Sequence, residues 1–330
     1  IPKSSDYFNT KLYTGNGSSQ ALTGVGHQTD MVWIKSRTDT RKHNLYDVVR
    51  GVQKRIVPND SVAEDTVPGV TAFGTDGFTV GSETDTNGSA RNFVGWSWKA
   101  NGAGSANTDG SISSTVSASA TSGFSIVSYT ATGSTATIGH GLGSIPKMMI
   151  IKNTTSNSTW AVYNASLGTG KFLRLQGTDA VGTEANWFDT TPTSSVFTVG
   201  SNLPSGATIA YCFADVQGFS KFGSYTGNGS GTDGTFVYTG FLPSFIMFKS
   251  TSTTGGWEIH DNKRDTFNPS SKRLFPNLSN AEATENYVDF VSNGFKFRTN
   301  DANGNTNGTS YIYMAFAEEP LVGTNPATAR

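Results

Sequence analysis

Two charged pairs with the same spacing are the strongest candidates for chemistry in this sequence. Asp47-x-x-Arg50 and Asp261-x-x-Arg264 each follow a short apolar segment. Such a pair could hold a charged ligand or close a turn as an ion pair. The turn is favoured, because the two pairs stand at equivalent places in a repeated pattern. We therefore expect both pairs to be structural, with the small contribution to stability that is typical of exposed ion pairs.

The other reactive side chains form no catalytic or metal-binding pattern. The four histidines are His27, His43, His140 and His260. They lack the His-x-His or His-x-x-x-His spacing of a metal site, and the sequence indicates no Ser, Cys or acidic partner for catalysis by any of them. The single cysteine, Cys212, rules out an internal disulfide, and we expect it to be a small buried hydrophobe. Gly168-Thr-Gly-Lys171 lacks the first glycine and the final Ser or Thr of a phosphate loop. The sequence thus predicts no catalytic residue, cofactor or metal, and a protein that is not an enzyme.

Five residues in polar segments are the predicted ligand contacts: Asn87, Trp187, Pro204, Asp301 and Asn303. All except Trp187 lie in loops of turn-forming residues near the end of a repeat. The loop that starts at Asp301 also offers oxygen atoms for calcium, but it lacks a closing bidentate acid, which favours a plain turn. Trp187 lies in a polar stretch, where an exposed ring could stack on a sugar.

The elements that position these residues are repeated. Tyr13-Thr-Gly-Asn-Gly-Ser18 returns letter for letter at residues 225–230 and in weaker form at 129–134. Each copy continues with an apolar strand that ends in a lysine. A Lys-Arg-x-x-Pro-Asn element occurs at 54–59 and 272–277, and copy two lacks it. We place copy one at residues 1–102, a Gly/Ser/Asn-rich linker at 103–111, copy two at 112–218, copy three at 219–320 and an irregular tail at 321–330.

Composition and period-two patterning predict an all-β protein. Aromatic residues make up 12% of the chain and charged residues only 15%, and 38 glycines punctuate short apolar segments. We expect three tandem β-sandwich repeats, jelly-roll or concanavalin-like, each closed by a hairpin. The repeats would form an elongated, bead-like chain in which copy one hinges and copies two and three pack rigidly. The net charge of −1 provides no field for nucleic acid, no apolar run predicts membrane insertion, and the start at Ile1 suggests a processed or partial record.

The repeated motifs resemble those of uncharacterised phage structural proteins. The resemblance rests on the Tyr-Thr-Gly-Asn-Gly-Ser run, the Val32-Trp-Ile-Lys35 strand, Gly77-Phe-Thr-Val-Gly81, the Trp96-x-Trp-Lys99 close and the final Ala315-Phe-Ala-Glu-Glu-Pro320. Such proteins are often labelled tail fibres and are found beside concanavalin-like or SPRY-like lectin domains.

The resemblance implies a non-enzymatic bacteriophage protein on the virion surface, of tail-fibre or receptor-binding type. Its implied partners are other virion structural proteins and host-surface glycans, met by loops at the sandwich ends, and a homo-oligomer is expected, with a trimer favoured. The alternative is a capsid decoration or head-fibre protein that binds the phage shell. A polysaccharide depolymerase is the third alternative.

Overall fold

The computed structural model describes residues 1, 3–183 and 188–320. Regular structure in these ranges is almost entirely β-strand, with short helical turns at Ser4–Asp6, Thr84–Asn87 and Ala165–Leu167. The β-branched and aromatic residues lie in the strands, and Gly, Asn and Ser fill the turns. The predicted all-β sandwich class is confirmed.

Copy one contains two packed sheets and a short ribbon. A four-stranded sheet has the order β1-β9-β3-β4, a three-stranded sheet has the order β2-β8-β7, and β5 pairs with β6. The strands are β1 (Phe8–Thr14), β2 (Gln20–Thr23), β3 (Met31–Ser36), β4 (Asn44–Asp47), β5 (Lys54–Arg55), β6 (Asp65–Thr66), β7 (Val70–Gly74), β8 (Gly77–Val80) and β9 (Asn92–Trp98).

Copy two has a larger first sheet and a smaller second one. Seven strands have the order β10-β11-β12-β18-β14-β15-β16, and β13 pairs with β17. The strands are β10 (Ser105–Asn107), β11 (Ser114–Ser119), β12 (Phe124–Ala131), β13 (Ala136–Gly139), β14 (Met148–Asn153), β15 (Ala161–Asn164), β16 (Leu173–Arg174), β17 (Val196–Val199) and β18 (Gly206–Phe213).

Copy three repeats the strand order of copy one. Its first sheet is β19-β26-β21-β22 and its second is β20-β25-β24-β23. The strands are β19 (Ser220–Thr226), β20 (Phe236–Tyr238), β21 (Phe241–Ser250), β22 (Trp257–Asp261), β23 (Ser270–Arg273), β24 (Ala283–Val291), β25 (Gly294–Phe297) and β26 (Ser310–Pro320).

The first sheet of each copy, here called the inner sheet, has a central strand that is buried on both faces. Every residue of β3, β14 and β21 is buried. In β3, Trp33 faces one apolar cluster, and its neighbours Val32 and Ile34 face another, which they share with the second, or outer, sheet of copy one. The cluster around Trp33 takes residues from all three inner sheets and is the common core of the molecule. Double burial explains why these strands read as continuous apolar runs.

The common core overturns the predicted bead-like arrangement with a hinge. The Phe8 ring of copy one stacks on Phe316 of copy three with 4.8 Å between centroids, and Tyr7 contacts Phe219. The inner sheets must bury their second apolar face, and here they bury it against one another. Part of the predicted linker is also ordered, because β10 pairs with β11 inside the sheet of copy two. The predicted tail, 321–330, lies outside the described residues.

The predicted closing hairpins are also wrong. The strand Gly77–Val80 pairs with β2 and β7 in the outer sheet, and β9 pairs with β1 and β3 in the inner sheet. The same division separates β17 from β18 and β25 from β26. The loops in between therefore cross from one layer of the sandwich to the other. Period-two patterning reports a buried face but does not identify the pairing partner.

Copies one and two meet at a seam that contains a buried charged pair. Arg50 Nε lies 2.6 Å from Asp47 Oδ2, and the same oxygen accepts a 2.7 Å hydrogen bond from Tyr211 Oη of copy two. Trp160 Nε1, also of copy two, donates to the Val57 and Asp60 carbonyls of copy one at 3.0 Å. The predicted ion pair between Asp47 and Arg50 therefore forms, but it is buried, and its hydrogen bond with Tyr211 links copy one to copy two.

Copies three and one meet at an equivalent seam. Arg264 Nε lies 2.6 Å from Asp261 Oδ2, which accepts a 2.9 Å hydrogen bond from Trp96 Nε1. His43 of copy one stands at the position of Trp160, and the backbone carbonyls of Phe275 and Leu278 in copy three raise the pKa of its ring. Burial, the largest cause, nevertheless lowers the pKa of His43 well below its ordinary value.

At the seam between copies two and three, uncharged residues occupy the positions of this charged pair. Asn164 stands at the position of Asp47, and Met314 stands at the position of Tyr211. Trp257 Nε1 still donates to the Arg174 carbonyl at 2.9 Å. Each of the three seams also has two backbone hydrogen bonds between the copies. At the one–two seam Glu64 donates to Thr154 and Ser158 to Ser61, and at the three–one seam Glu282 donates to Arg37 and Arg41 to Ser279. At the two–three seam Val181 donates to Thr251 and Gly255 to Thr178. The three copies therefore close head to tail into a ring.

Candidate functional site

Asn87, the first predicted contact residue, is a structural lock. Its side chain is fully buried, and its amide group donates to the Gly81 carbonyl at 2.7 Å and to the Ser18 carbonyl. Its Oδ1 accepts a 3.0 Å hydrogen bond from the Asn16 backbone. Burial removes this side chain from contact with a ligand, contrary to the prediction.

The same lock explains the motif that is repeated letter for letter. In copy three, Asn305 makes the equivalent hydrogen bonds to Asn228, Ser230 and Thr299. Tyr13 and Tyr225 each donate their hydroxyl to a carbonyl of the loop that carries the locking asparagine. The Tyr-Thr-Gly-Asn-Gly-Ser motif is thus a structural clamp on the loop that crosses between the two sheets.

The other predicted contacts lie apart from one another. Pro204 of copy two is half-buried, and its carbonyl accepts a 2.9 Å hydrogen bond from Asn153 Nδ2. Asp301 and Asn303 lie together in copy three, where Tyr287 Oη donates to Asp301 Oδ1 at 2.6 Å. Trp187 falls outside the described residues. These contacts therefore do not form one surface within the described ranges.

Asn303 and Asp301 flank a buried acid. Glu258 accepts hydrogen bonds from Arg273 at 2.6 and 3.1 Å and from Asn303 Nδ2 at 3.0 Å. Burial raises the pKa of Glu258 to about 7, and Arg273 and Asn303 oppose that rise. Two oxygens of the candidate calcium loop already accept internal hydrogen bonds: Asp301 Oδ1 from Tyr287 Oη and the Asn303 backbone, and Asn303 Oδ1 from the Gly256 backbone. In the ranges 1, 3–183 and 188–320, no group of three or more His, Cys, Asp and Glu side chains is placed to hold a metal ion.

Comparing equivalent positions in the three copies identifies a different candidate. On the outer-sheet strand β20, Phe236 and Tyr238 are exposed by 45% and 59%. Pairing registers place Tyr238 at the position of Thr23 in copy one and Gly139 in copy two. Because copy three alone has large aromatic side chains there, the fold does not require them. An exposed aromatic that the scaffold does not need is a candidate for binding.

Tyr238 borders a large cleft on the protein surface. This cleft has a volume of about 890 Å³ and lies where copy two passes into copy three. Its lining residues come from the chain start, from the connection between the copies and from the turn after β20: Ile1, Asp215, Val216, Gln217, Gly218, Ser220, Lys221, Tyr238, Thr239 and Gly240. Gly240 in this turn has a φ of +85°, a backbone conformation that favours glycine.

The polar groups of the cleft are held in place by the scaffold. Asp215 accepts from Lys221 Nζ and from the Phe222 backbone, both at 2.9 Å. Ser220 donates its hydroxyl to the Ala214 carbonyl at 3.2 Å, and Gln217 is exposed. The cleft, which we call the Tyr238 cleft, therefore combines an aromatic ring with a fixed carboxylate, an ammonium group and a free amide. Such a set can stack on a flat apolar face and hydrogen-bond the groups around it.

Sequence reasoning missed Phe236 and Tyr238, although a signal was present. Residues 236–238 read Phe-Val-Tyr, where copy one has Ala-Leu-Thr over residues 21–23 and copy two has Thr-Ile-Gly over residues 137–139. An alignment of the three copies strand by strand separates Val237, which the fold buries, from its two aromatic neighbours.

A known family matches nearly the whole chain. Residues 3–320 match the family described as a domain of unknown function, DUF7483. The chain belongs to that family, and the match covers all three copies together. No curated protein and no solved structure matches the chain. No helix in the described ranges is long and apolar enough to cross a membrane.

Proposed function

We propose that this protein is a non-enzymatic bacteriophage virion surface protein of tail-fibre or receptor-binding type. It binds a host-surface glycan in the Tyr238 cleft. The observation that carries the proposal is the pair of exposed aromatic side chains on β20, which copies one and two lack. The sequence resemblance to phage structural repeats supplies the biological setting, with attachment to other virion structural proteins.

The chemistry of the cleft supports a sugar as the ligand. A pyranose ring has an apolar face of C–H groups and a rim of hydroxyls. The exposed Tyr238 ring offers a surface for the face, and Asp215, Gln217 and Lys221 offer acceptors and donors for the rim. Since Asp215 and Lys221 neutralise each other, the cleft favours an uncharged or weakly charged sugar.

A binding measurement with matched variants tests this function. The probes are purified lipopolysaccharide and capsular polysaccharide from host strains, measured by calorimetry. Tyr238→Ala is expected to abolish binding, because it removes the stacking surface. Thr23→Ala alters the equivalent position of copy one and is expected to bind like the wild type. Equal binding by both variants would refute the cleft as the site, and no binding by the wild type to any host polysaccharide would refute the function.

Location in the particle tests the virion assignment separately. Antibody labelling of intact virions is expected on the tail or its fibres. Labelling between capsomers or at capsid vertices would instead support the decoration alternative. The favoured trimer is tested by sedimentation of the isolated chain.

A further inference from the structure

The outer sheet of copy three continues outward from the Tyr238 cleft as one surface. Phe236 pairs with Lys296, which pairs with Asp289 on the next strand. Their neighbours Val237, Phe295 and Phe290 are buried against the inner sheet, so this row lies on the opposite, outward face. The row joins β20, β25 and β24.

A glycine keeps this surface low next to the aromatic residues. Gly294 pairs with Tyr238, and a side chain there would lie 2.1 Å from the Val237 carbonyl and 3.0 Å from the Phe236 ring. Only glycine fits at this position, and the Phe236 ring passes close beside it. The aromatic edge of the sheet and its middle strand therefore present a shallow path.

The path ends at a second cleft on the same face. This cleft has a volume of about 430 Å³ and is lined by Gly231, Asn268, Pro269, Asn286, Asp289 and Arg298. Arg298 Nε donates to Asp289 Oδ2 at 2.6 Å and Nη1 donates to the Thr232 carbonyl at 2.9 Å. These bonds hold the guanidinium in one orientation and leave Nη2 free of any bond within the described residues. The exposed Asn286 adds a free amide.

An exposed aromatic residue that copy one lacks stands next to the second cleft in the sequence. Phe267, which is 79% exposed, immediately precedes Asn268 and Pro269 of the cleft wall. It lies in a connection of seven residues between Arg264 and Lys272, where copy one has three residues between Arg50 and Lys54. Both ends of the path thus carry exposed aromatics that the scaffold does not require.

From these observations we propose that the ligand is an oligosaccharide that lies across β20, β25 and β24 and fills both clefts. This inference rests on the proposed glycan-binding function. Strands in a sheet are about 4.8 Å apart, so the path from β20 to β24 is about 10 Å long before either cleft is entered. A single sugar ring in the Tyr238 cleft does not reach Arg298. A chain of several sugars does, with Arg298 Nη2 and Asn286 as hydrogen-bond donors to its hydroxyl groups.

The test is the dependence of affinity on ligand length. The probes are size-fractionated fragments of the host polysaccharide that the wild type binds, from one repeating unit upward. We expect affinity to rise about tenfold, or about 1.4 kcal/mol, once the fragment reaches the second cleft, because it then gains hydrogen bonds from the guanidinium. Arg298→Ala is expected to remove this rise and to leave the affinity for the shortest fragment unchanged. Arg298→Lys keeps the charge but not the planar fork and is expected to give an intermediate loss.

Controls separate this inference from the function on which it rests. Arg91→Ala removes an arginine of similar exposure, paired with Asp39 in copy one, and is expected to bind every fragment like the wild type. Equal affinity for short and long fragments, or a rise that survives Arg298→Ala, would overturn the two-cleft ligand but not the Tyr238 cleft. Loss of all binding in Tyr238→Ala, together with equal affinity of the wild type for short and long fragments, would also overturn the two-cleft ligand but not the Tyr238 cleft. Concentration-dependent dimerisation that Tyr238→Ala abolishes would identify a second copy as the occupant and overturn the inference.

Discussion

The one–two seam and the two–three seam join equivalent edges of similar sandwiches, but the buried Asp47–Arg50 pair of the first has no counterpart among the described residues of the second. At the one–two seam, Asp47 is shared by Arg50 and Tyr211. At the two–three seam, Asn164 and Met314 stand at the positions of Asp47 and Tyr211. Copy two thus lacks the carboxylate of Asp47, and copy three lacks the hydroxyl group that would donate a hydrogen bond to it. A buried polar contact is costly to break on one side only, and a seam without either partner avoids that cost.

The largest expected effect comes from breaking a charged seam on one side. Asp261→Ala removes one of the two carboxylates that pair with the buried Arg264 guanidinium, leaving only Glu282, and it leaves Trp96 Nε1 without an acceptor. We expect a loss of about 3–5 kcal/mol in the free energy of unfolding, measured by urea denaturation. Asn164→Ala at the equivalent position is expected to cost only about 1 kcal/mol, because its Oδ1 caps Ser166. Similar losses in the two variants would contradict the difference between the seams.

A smaller effect is expected from removing the neutral donor. Tyr211→Phe deletes the 2.7 Å hydrogen bond to Asp47 but keeps the ring in the common core. The expected loss is about 1–3 kcal/mol, because Asp47 remains buried with one partner fewer. Met314→Leu, the matched change at the two–three seam, is expected to cost less than about 1.5 kcal/mol. The comparison fails if Met314→Leu proves the more damaging change in thermal unfolding.

The buried lysines test what the copies have in common. Lys35, Lys152 and Lys249 are fully buried, and each donates to the carbonyl of the following residue at 2.6–2.7 Å. Burial lowers the pKa of each to about 8, so between about pH 8 and the ordinary value of 10.5 the unfolded chain binds more protons than the folded one. Stability is therefore expected to rise with pH across this window.

One substitution isolates the contribution of a single copy. Lys152→Met is expected to reduce the rise between pH 8 and pH 9 by about 1 kcal/mol, measured by urea denaturation at each pH. Lys171→Met, which replaces an exposed lysine of the same copy, is expected to leave the profile unchanged. An identical pH profile for Lys152→Met and the wild type would contradict the assignment.

The smallest effect on stability is expected outside the seams. Tyr238→Ala, which removes a side chain that is 59% exposed, is expected to change the free energy of unfolding by no more than about 0.5 kcal/mol. Its effect on glycan binding is expected to be large. A loss of stability comparable to that of Tyr211→Phe would show that Tyr238 belongs to the scaffold.

The sequence predicted the strand segments and the repeated motifs well, because local patterning and turn residues report both. It did not reveal the seams, since Asp47 and Tyr211 are far apart in the chain and nothing local links them. The signal for the common core was present in strands such as Met31–Ser36, which have no polar face and therefore need two apolar neighbours. The Tyr238 cleft was missed because its residues come from three segments that meet only in the folded protein.

Ring closure also affects the order in which the protein can fold during synthesis. The inner sheet of copy one is made first, yet Phe8 and Trp98 pack on Phe316, near the end of the described chain. Until the ribosome has released that strand, a wall of the common core stays open and its aromatic side chains remain exposed to water. Contacts between the two ends of a chain slow folding, and exposed apolar surface favours aggregation. The nascent chain therefore needs protection for as long as copy three is incomplete.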